Sequence, residues 1–154
     1  MKDTRMVTSV GTESSIQDLM HNLLWVEHGA IAAYESNIEK LESHSAAMDQ
    51  IAQFRGDHMR HVAELEKMAA MLGIEAPHTG DAKQWLMTGE IALAGLMGDS
   101  AILKAMRTNE DDTVTAYERA STHADAMPES RGFFQRFAAD ERRHRAWMEQ
   151  AAMG

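Results

Sequence analysis

Asp140-Glu141-Arg142-Arg143-His144 sets a glutamate and a histidine three positions apart in what is otherwise an apolar helix seam. Earlier in the chain stands Asp57-His58-Met59-Arg60-His61, with the same Asp, the same Arg and the same final His in register. The correspondence runs further upstream. The spacing from Glu27 to His61 equals that from Glu110 to His144, and Tyr34 and Tyr117 each follow their glutamate by seven. The chain therefore reads as two copies of one unit, E-x6-Y followed by H-x-x-H or E-x-x-H, and the remaining sequence reads as the scaffold for these polar positions.

That scaffold is helical by composition. The chain has 154 residues, about the size of one domain, long enough to bury a core without disulfides or a structural metal. Two prolines, thirteen methionines and abundant Ala, Glu and Leu favour helix, and Met fills irregular cores. With no cysteine, a disulfide framework and a thiolate metal site are both excluded. No stretch approaches the ~20 apolar residues of a membrane span, and the N-terminal segment from Met1 to Thr12 lacks a signal-peptide core. The expectation is a cytoplasmic protein. A net charge of −9, with no cluster of Lys and Arg, argues against nucleic acid or an anionic membrane as the main partner.

Periodicity divides the chain. Residues 1–14 show no helical rhythm and are expected to be a flexible tail. Ser15 opens helix A, 16–43, whose seam of Ile16, Met20, Leu23, Glu27, Ala30, Tyr34 and Ile38 contains one charge, Glu27. Ser45 is a candidate cap for helix B, 46–72, with His58 and His61 on its seam and Gly73 as its C-terminal stop. Pro77 and Gly80 break the pattern, so 74–98 is expected to be a long crossover containing some helix. Helix C, 99–124, carries Leu103, Met106, Glu110, Thr113 and Tyr117. Pro128 then starts helix D, 128–152, through Phe134, Phe137, Glu141, His144 and Met148. The reading is an all-α domain of two antiparallel helix pairs joined by the crossover.

A bundle core has no water to solvate six acids and histidines, and a buried carboxylate costs several kcal/mol unless paired, protonated or bound to a metal. A Glu three positions before a His puts both on one helix face, where they can contact one cation, while isolated Glu residues on facing helices can complete a pair of metal positions. The sequence resembles the ferritin-like superfamily, in particular its rubrerythrin and bacterioferritin branches and their small bacterial relatives. The residues that carry the resemblance are Glu27 with Tyr34, Asp57 to Gly73, Glu110 with Tyr117, and Asp140 to Trp147, and it extends over residues 15–152. It implies a four-helix bundle holding two iron ions, Fe(II) or Fe(III), with Glu27, His58, His61, Glu110, Glu141 and His144 as ligands. It also implies reaction with dioxygen or hydrogen peroxide. Manganese or zinc would suit the same nitrogen and oxygen donors.

At one position the chain departs from that pattern, because the family would have Glu where this sequence has His58. Three outcomes follow. His58 ligates as a nitrogen donor, or Asp57 swings in to supply the missing oxygen, or the first position is weak and a mononuclear site remains around Glu110, Glu141 and His144. Ligation by His58 is favoured. Asp57 has a counterpart in Asp140, beside a complete E-x-x-H, so both aspartates are better suited to orienting His61 and His144 through the ring nitrogen not bound to metal.

Other residues carry two readings. Tyr34 and Tyr117 are either core tyrosines or donors to a metal-bound carboxylate with a redox role. Arg60 and Arg143 are expected to be solvated or paired with acids such as Glu64, Trp25 and Trp147 to be packing residues, and His21, His28, His44, His78 and His123 to face solvent. The functional expectation is a ferroxidase or an oxygen- or peroxide-reducing oxidoreductase serving iron or oxidative-stress handling. Its electrons would come from Fe(II) or an unknown donor, since the four-cysteine iron site of rubrerythrins is missing. The alternatives are a metal-free or mononuclear structural or interaction bundle, and an iron-storage subunit. A homodimer through the outer faces of helices A and B is a further expectation.

Overall fold

The computed structural model describes residues 8–40, 46–75 and 99–153. Four α-helices account for most of them: α1 (Ile16–Lys40), α2 (Ala46–Met71), α3 (Asp99–Ala120) and α4 (Pro128–Met153). No strand occurs among the described residues. The expected end of helix A beyond residue 40, the Ser45 cap and the helix expected within the crossover fall outside the described residues.

The helix ends obey local rules. At the start of α1, Ser15 Oγ accepts a hydrogen bond from the Asp18 amide at 3.2 Å, satisfying one orphan donor of the first turn. At the end of α2, Gly73 has φ +69°, and the Ile74 amide bonds back to the Ala69 carbonyl at 2.8 Å, a Schellman closure that suits glycine because a Cβ there would be strained. Helix C was expected to reach 124, but α3 ends at Ala120. The Ser121 and Thr122 hydroxyls donate to the carbonyls of Glu118 and Arg119, and side chains that satisfy the last-turn carbonyls stop the helix there. Arg131 then donates to the carbonyls of His123 and Ala126, closing the turn into α4.

The helices pack as two antiparallel pairs. The principal contacts are between α1 and α2 and between α3 and α4, with α1 also meeting α3 and α2 meeting α4. One apolar cluster joins the start of α1 (Leu19, Leu23) to the end of α2 (Leu65, Met68), the end of α3 (Ala116, Tyr117) and the start of α4 (Phe134, Phe137). A second joins the opposite ends: Tyr34, Ile51 and Phe54, Ile102 and Met106, and Met148. α3 therefore starts at the end of the bundle where α2 starts, not where α2 finishes. A 26-residue helix is about 39 Å long, so a tight turn could not make that connection. Between the two apolar clusters lies the polar layer.

Residues 8–14 make specific bonds rather than hanging free of the bundle. Arg119 donates to the carbonyls of Thr8 and Val10 at 2.7 and 3.2 Å. His123, expected at the surface, is buried: its Nδ1 accepts from the Asp125 amide, so its Nε2–H donates to the Glu13 carbonyl at 2.7 Å. These bonds tie the start of α1 to the end of α3.

Candidate metal centre

All six residues expected to ligate metal converge in the polar layer. Glu27 comes from α1, His58 and His61 from α2, Glu110 from α3, and Glu141 and His144 from α4, and none is more than 1% exposed. A single uncompensated buried charge costs several kcal/mol, against a net folding stability of about 5–15 kcal/mol for a whole domain, so this layer must be internally matched. The match is three imidazoles against three carboxylates. Glu27 spans two rings, its Oε1 2.9 Å from His58 Nδ1 and its Oε2 2.9 Å from His61 Nδ1. His58 Nε2 lies 3.3 Å from Glu110 Oε1 and 3.4 Å from Glu141 Oε2. His61 Nδ1 is 3.2 Å from Glu141 Oε1, and His144 Nδ1 is 3.7 and 3.6 Å from Glu110 and Glu141.

The two aspartates sit outside this ring and hold the far nitrogens of the histidines, each reaching across to the other copy of the repeat. Asp140 Oδ2 is 2.9 Å from His61 Nε2, and Asp57 Oδ2 is 2.7 Å from His144 Nε2. Asp57 also accepts from Arg60, and Arg143 donates to both Asp57 (2.9 Å) and Asp140 (3.3 Å). Neither arginine pairs with Glu64, whose partner is Lys67. With its oxygens engaged by a histidine and two arginines, Asp57 is positioned to orient His144 and not to replace a carboxylate in the ring.

Two phenylalanines complete the pinning, and the sequence reading passed over their relationship. Phe54 stacks on His144 and Phe137 on His61, each with ring centroids 4.1 Å apart. They too occupy matching positions in the two copies, each three places before its aspartate, so F-x-x-D-x-x-x-H is the fuller repeat. Thr113 was also missed. Its Oγ1 stands 3.2 Å from Glu110 Oε2 and 3.1 Å from Glu141 Oε2, between two carboxylates that would otherwise repel. The corresponding residue in the first copy is Ala30, so no repeat signal marks it.

The tyrosines are not equivalent. Tyr34 donates to Glu110 Oε1. Tyr117 is equally buried beside Glu27, but among the described residues its hydroxyl meets no partner in hydrogen-bond geometry. Burial, reinforced by the charge of Glu110 beside Tyr34 and of Glu27 beside Tyr117, pushes both phenols well above their usual range, so both stay neutral donors.

The proton affinities follow from the same geometry. Burial opposes charge on His61 and His144, but the carboxylates around them prevail and lift them to about 11 and about 9. His58 is raised well above the ordinary value against its burial by Glu141, Glu27 and Glu110. Burial likewise works against ionisation of Glu27, and His58 and His61 overcome it, holding its carboxyl at about 2. Glu141 is raised by burial and by the negative charge of Glu110. Carboxylates forced together, and imidazoles that take up protons to neutralise them, are the electrostatic condition a cation would relieve.

The donor atoms fit metal ions. Two groups have ligand atoms all within 4.8 Å of one another: Glu27, His58, His61 and Glu141, and His58, Glu110, Glu141 and His144. That spacing approaches the ~4.2 Å between opposite donors around an ion with bonds of about 2.1 Å. Among the described residues His144 Nδ1 is buried without a hydrogen-bond partner and faces Glu110 and Glu141 of its group. On the solvent side of the first group, α2 and α4 leave an open cleft of about 480 Å³, lined by Arg60, Glu64, Phe133, Arg136 and Asp140, with His61 and Phe137 in its wall.

Four helices contributing buried carboxylates and histidines to a central layer define a helical bundle with a candidate metal centre. The family profile described as "Ferritin-like domain" matches residues 16–154, and the chain belongs to that family. No curated protein and no solved structure matches the chain. Among the described residues no helix is long and apolar enough to cross a membrane.

Proposed function

We propose that the chain binds two iron ions in the polar layer and acts as a ferroxidase or an oxygen- or peroxide-reducing oxidoreductase in iron or oxidative-stress handling. The observation that carries the reading is the pair of overlapping four-residue groups, buried, drawn from four helices and each containing an aspartate-oriented histidine. Iron held there supplies one-electron chemistry toward dioxygen or hydrogen peroxide, with electrons from Fe(II) or from an external donor. Manganese or zinc would satisfy the same donors, but zinc offers no redox step.

The chain's own residues have separate tasks. Glu27, Glu110 and Glu141 neutralise cation charge, and His58, His61 and His144 supply nitrogen donors. Asp57 and Asp140 fix the tautomer of the last two by accepting from Nε2–H, which leaves Nδ1 for metal. Tyr34 holds Glu110 in place, and the apolar clusters above and below keep bulk water out of the layer. The rubrerythrin and bacterioferritin branches are the proposed comparison for this chemistry.

Anaerobic loading with Fe(II), followed by oxygen or peroxide, tests the activity. The expected result is oxidation of bound iron, seen in the near-ultraviolet and by oxygen consumption, faster than in protein-free buffer and lost in Glu141→Ala. Equal rates with and without protein would reject it.

A second reading has its own support. Three histidines already balance three carboxylates, so the layer could serve as a metal-free hydrogen-bonded core of a structural or interaction bundle. Purified protein that takes up no divalent metal would favour that reading.

A further inference from the structure

The two groups share two residues, Glu141 and His58, and these differ in what can be shared. Glu141 has two oxygens that face different ways. Oε1 is 3.2 Å from His61 Nδ1, and Oε2 is 3.4 Å from His58 Nε2 and 3.6 Å from His144 Nδ1, so each group can take one oxygen. A neutral imidazole has one lone pair, and its other nitrogen carries the proton. His58 can therefore serve only one of the two groups as a ligand.

The surroundings say which. His58 Nδ1 is 2.9 Å from Glu27 Oε1, within ordinary hydrogen-bond distance, whereas Nε2 lies at 3.3 and 3.4 Å from Glu110 and Glu141, loosely held. With Nδ1–H donated to Glu27, the lone pair on Nε2 points to the group of Glu110, Glu141 and His144. That group is also the readier of the two. Among the described residues His144 Nδ1 has no hydrogen-bond partner, and its ring is fixed by Asp57 at 2.7 Å and by stacking on Phe54. In the other group, Glu27 engages both His58 Nδ1 and His61 Nδ1 at 2.9 Å, so a cation entering there displaces two short hydrogen bonds, against the one longer bond of 3.3 Å between His58 Nε2 and Glu110. Tyr34 braces Glu110 by a hydrogen bond.

We propose that the two cation positions are unequal. The tight one is formed by His58 Nε2, Glu110, Glu141 and His144, and Glu27 accepts the Nδ1–H of His58 as that ligand's orienting carboxylate. The weak one has only Glu27, His61 and Glu141, and it adjoins the cleft between α2 and α4, so its occupant exchanges with solvent. His58 is the residue that makes the positions unequal. This rests on the metal-binding reading above and specifies which residues hold which ion.

The test is an anaerobic titration of the metal-free full chain with Co(II), followed by calorimetry and by the visible absorption of bound cobalt. Circular dichroism confirms that each variant keeps its helices. The native chain should bind two equivalents in two steps, the first tighter by at least about tenfold, the scale on which donor-shell changes alter affinity. His61→Ala, which touches only the weak position, should keep the first equivalent and lose the second, and Glu110→Gln should lose the tight step. His58→Glu, which restores a carboxylate able to bridge, should bring the two affinities together. Two equivalents of equal affinity in the native chain would overturn the inference and leave metal binding standing, as would loss of the tight step in His61→Ala. No bound cobalt at all would overturn the metal-binding reading with it. The native titration decides the matter even if a variant fails to fold.

Discussion

Raising the pH of the metal-free protein from 6.5 to 9 should destabilise it steeply. His144 is held at about 9 in the folded chain against 6.5 when unfolded, and His61 at about 11. A group raised by folding stabilises the native state fully below its unfolded value and loses that contribution as the pH climbs to its folded value. At about 1.4 kcal/mol per pH unit, His144 alone gives up roughly 3 kcal/mol by pH 9, and His61 loses stability over the same interval and beyond. For a chain of this size 1 kcal/mol moves the midpoint by about 2–4 °C, so His144 by itself predicts a fall of roughly 6–12 °C. On the acid side the sign reverses. Glu27 is depressed from 4.5 to about 2, so its contribution is present above pH 4.5 and is lost as the pH falls toward 2. For Glu27 and these two histidines together, the contribution is greatest between about pH 4.5 and 6.5, and Glu141, raised on folding, subtracts from it as the pH climbs above 4.5. Thermal unfolding followed by far-ultraviolet circular dichroism in chelator-treated protein, from pH 4 to 9.5, measures this curve. A midpoint that is flat or rises from pH 6.5 to 9 would refute the charge arrangement described for the layer.

Three further outcomes follow from individual contacts. Asp57→Asn and Asp140→Asn should each weaken metal binding by about 10–100-fold, with Asp57 the more damaging because it is the more deeply buried and also accepts from Arg60 and Arg143; chelator competition compares them. Tyr34→Phe removes the donor to buried Glu110 and should cost about 1–3 kcal/mol of metal-free stability, whereas Tyr117→Phe, which removes a hydroxyl without a partner, should be close to neutral in the same denaturant titration. Gly73→Ala should cost roughly 1 kcal/mol from the positive φ alone, since no atom of the described residues lies within 4 Å of the added Cβ.

Much of the centre was legible because burial and charge conflict openly in the sequence. Glu27, Glu110 and Glu141 interrupt apolar seams at positions where a helix must face the core, and the constant offset between the two copies ties them to His61 and His144. The same offset predicted that Asp57 and Asp140 would orient histidines. It could not show that each reaches the histidine of the other copy, because that depends on how α2 lies against α4. Phe54 and Phe137 were hidden by their ordinariness, as aromatic residues on an apolar seam announce packing, not a stacked imidazole. Thr113 has no partner in the repeat, and the unequal tyrosines break the symmetry that the repeat suggests. The shortened α3 reflects hydroxyl groups at Ser121 and Thr122 competing for carbonyls, which hydrophobic periodicity does not register. His123 was assigned to solvent because it falls off the seam, yet its neighbours are backbone groups of Glu13 and Asp125.

The polar layer between the two apolar clusters is proposed as a metal centre. Anomalous diffraction at the iron edge from crystals loaded anaerobically with Fe(II), paired with elemental analysis of untagged protein, addresses it most directly. Anomalous peaks are expected within bonding distance of Glu110, Glu141 and His144 and of Glu27, His61 and Glu141, with the first more fully occupied. Less than one equivalent of iron, and no anomalous peak among the four helices, would contradict it.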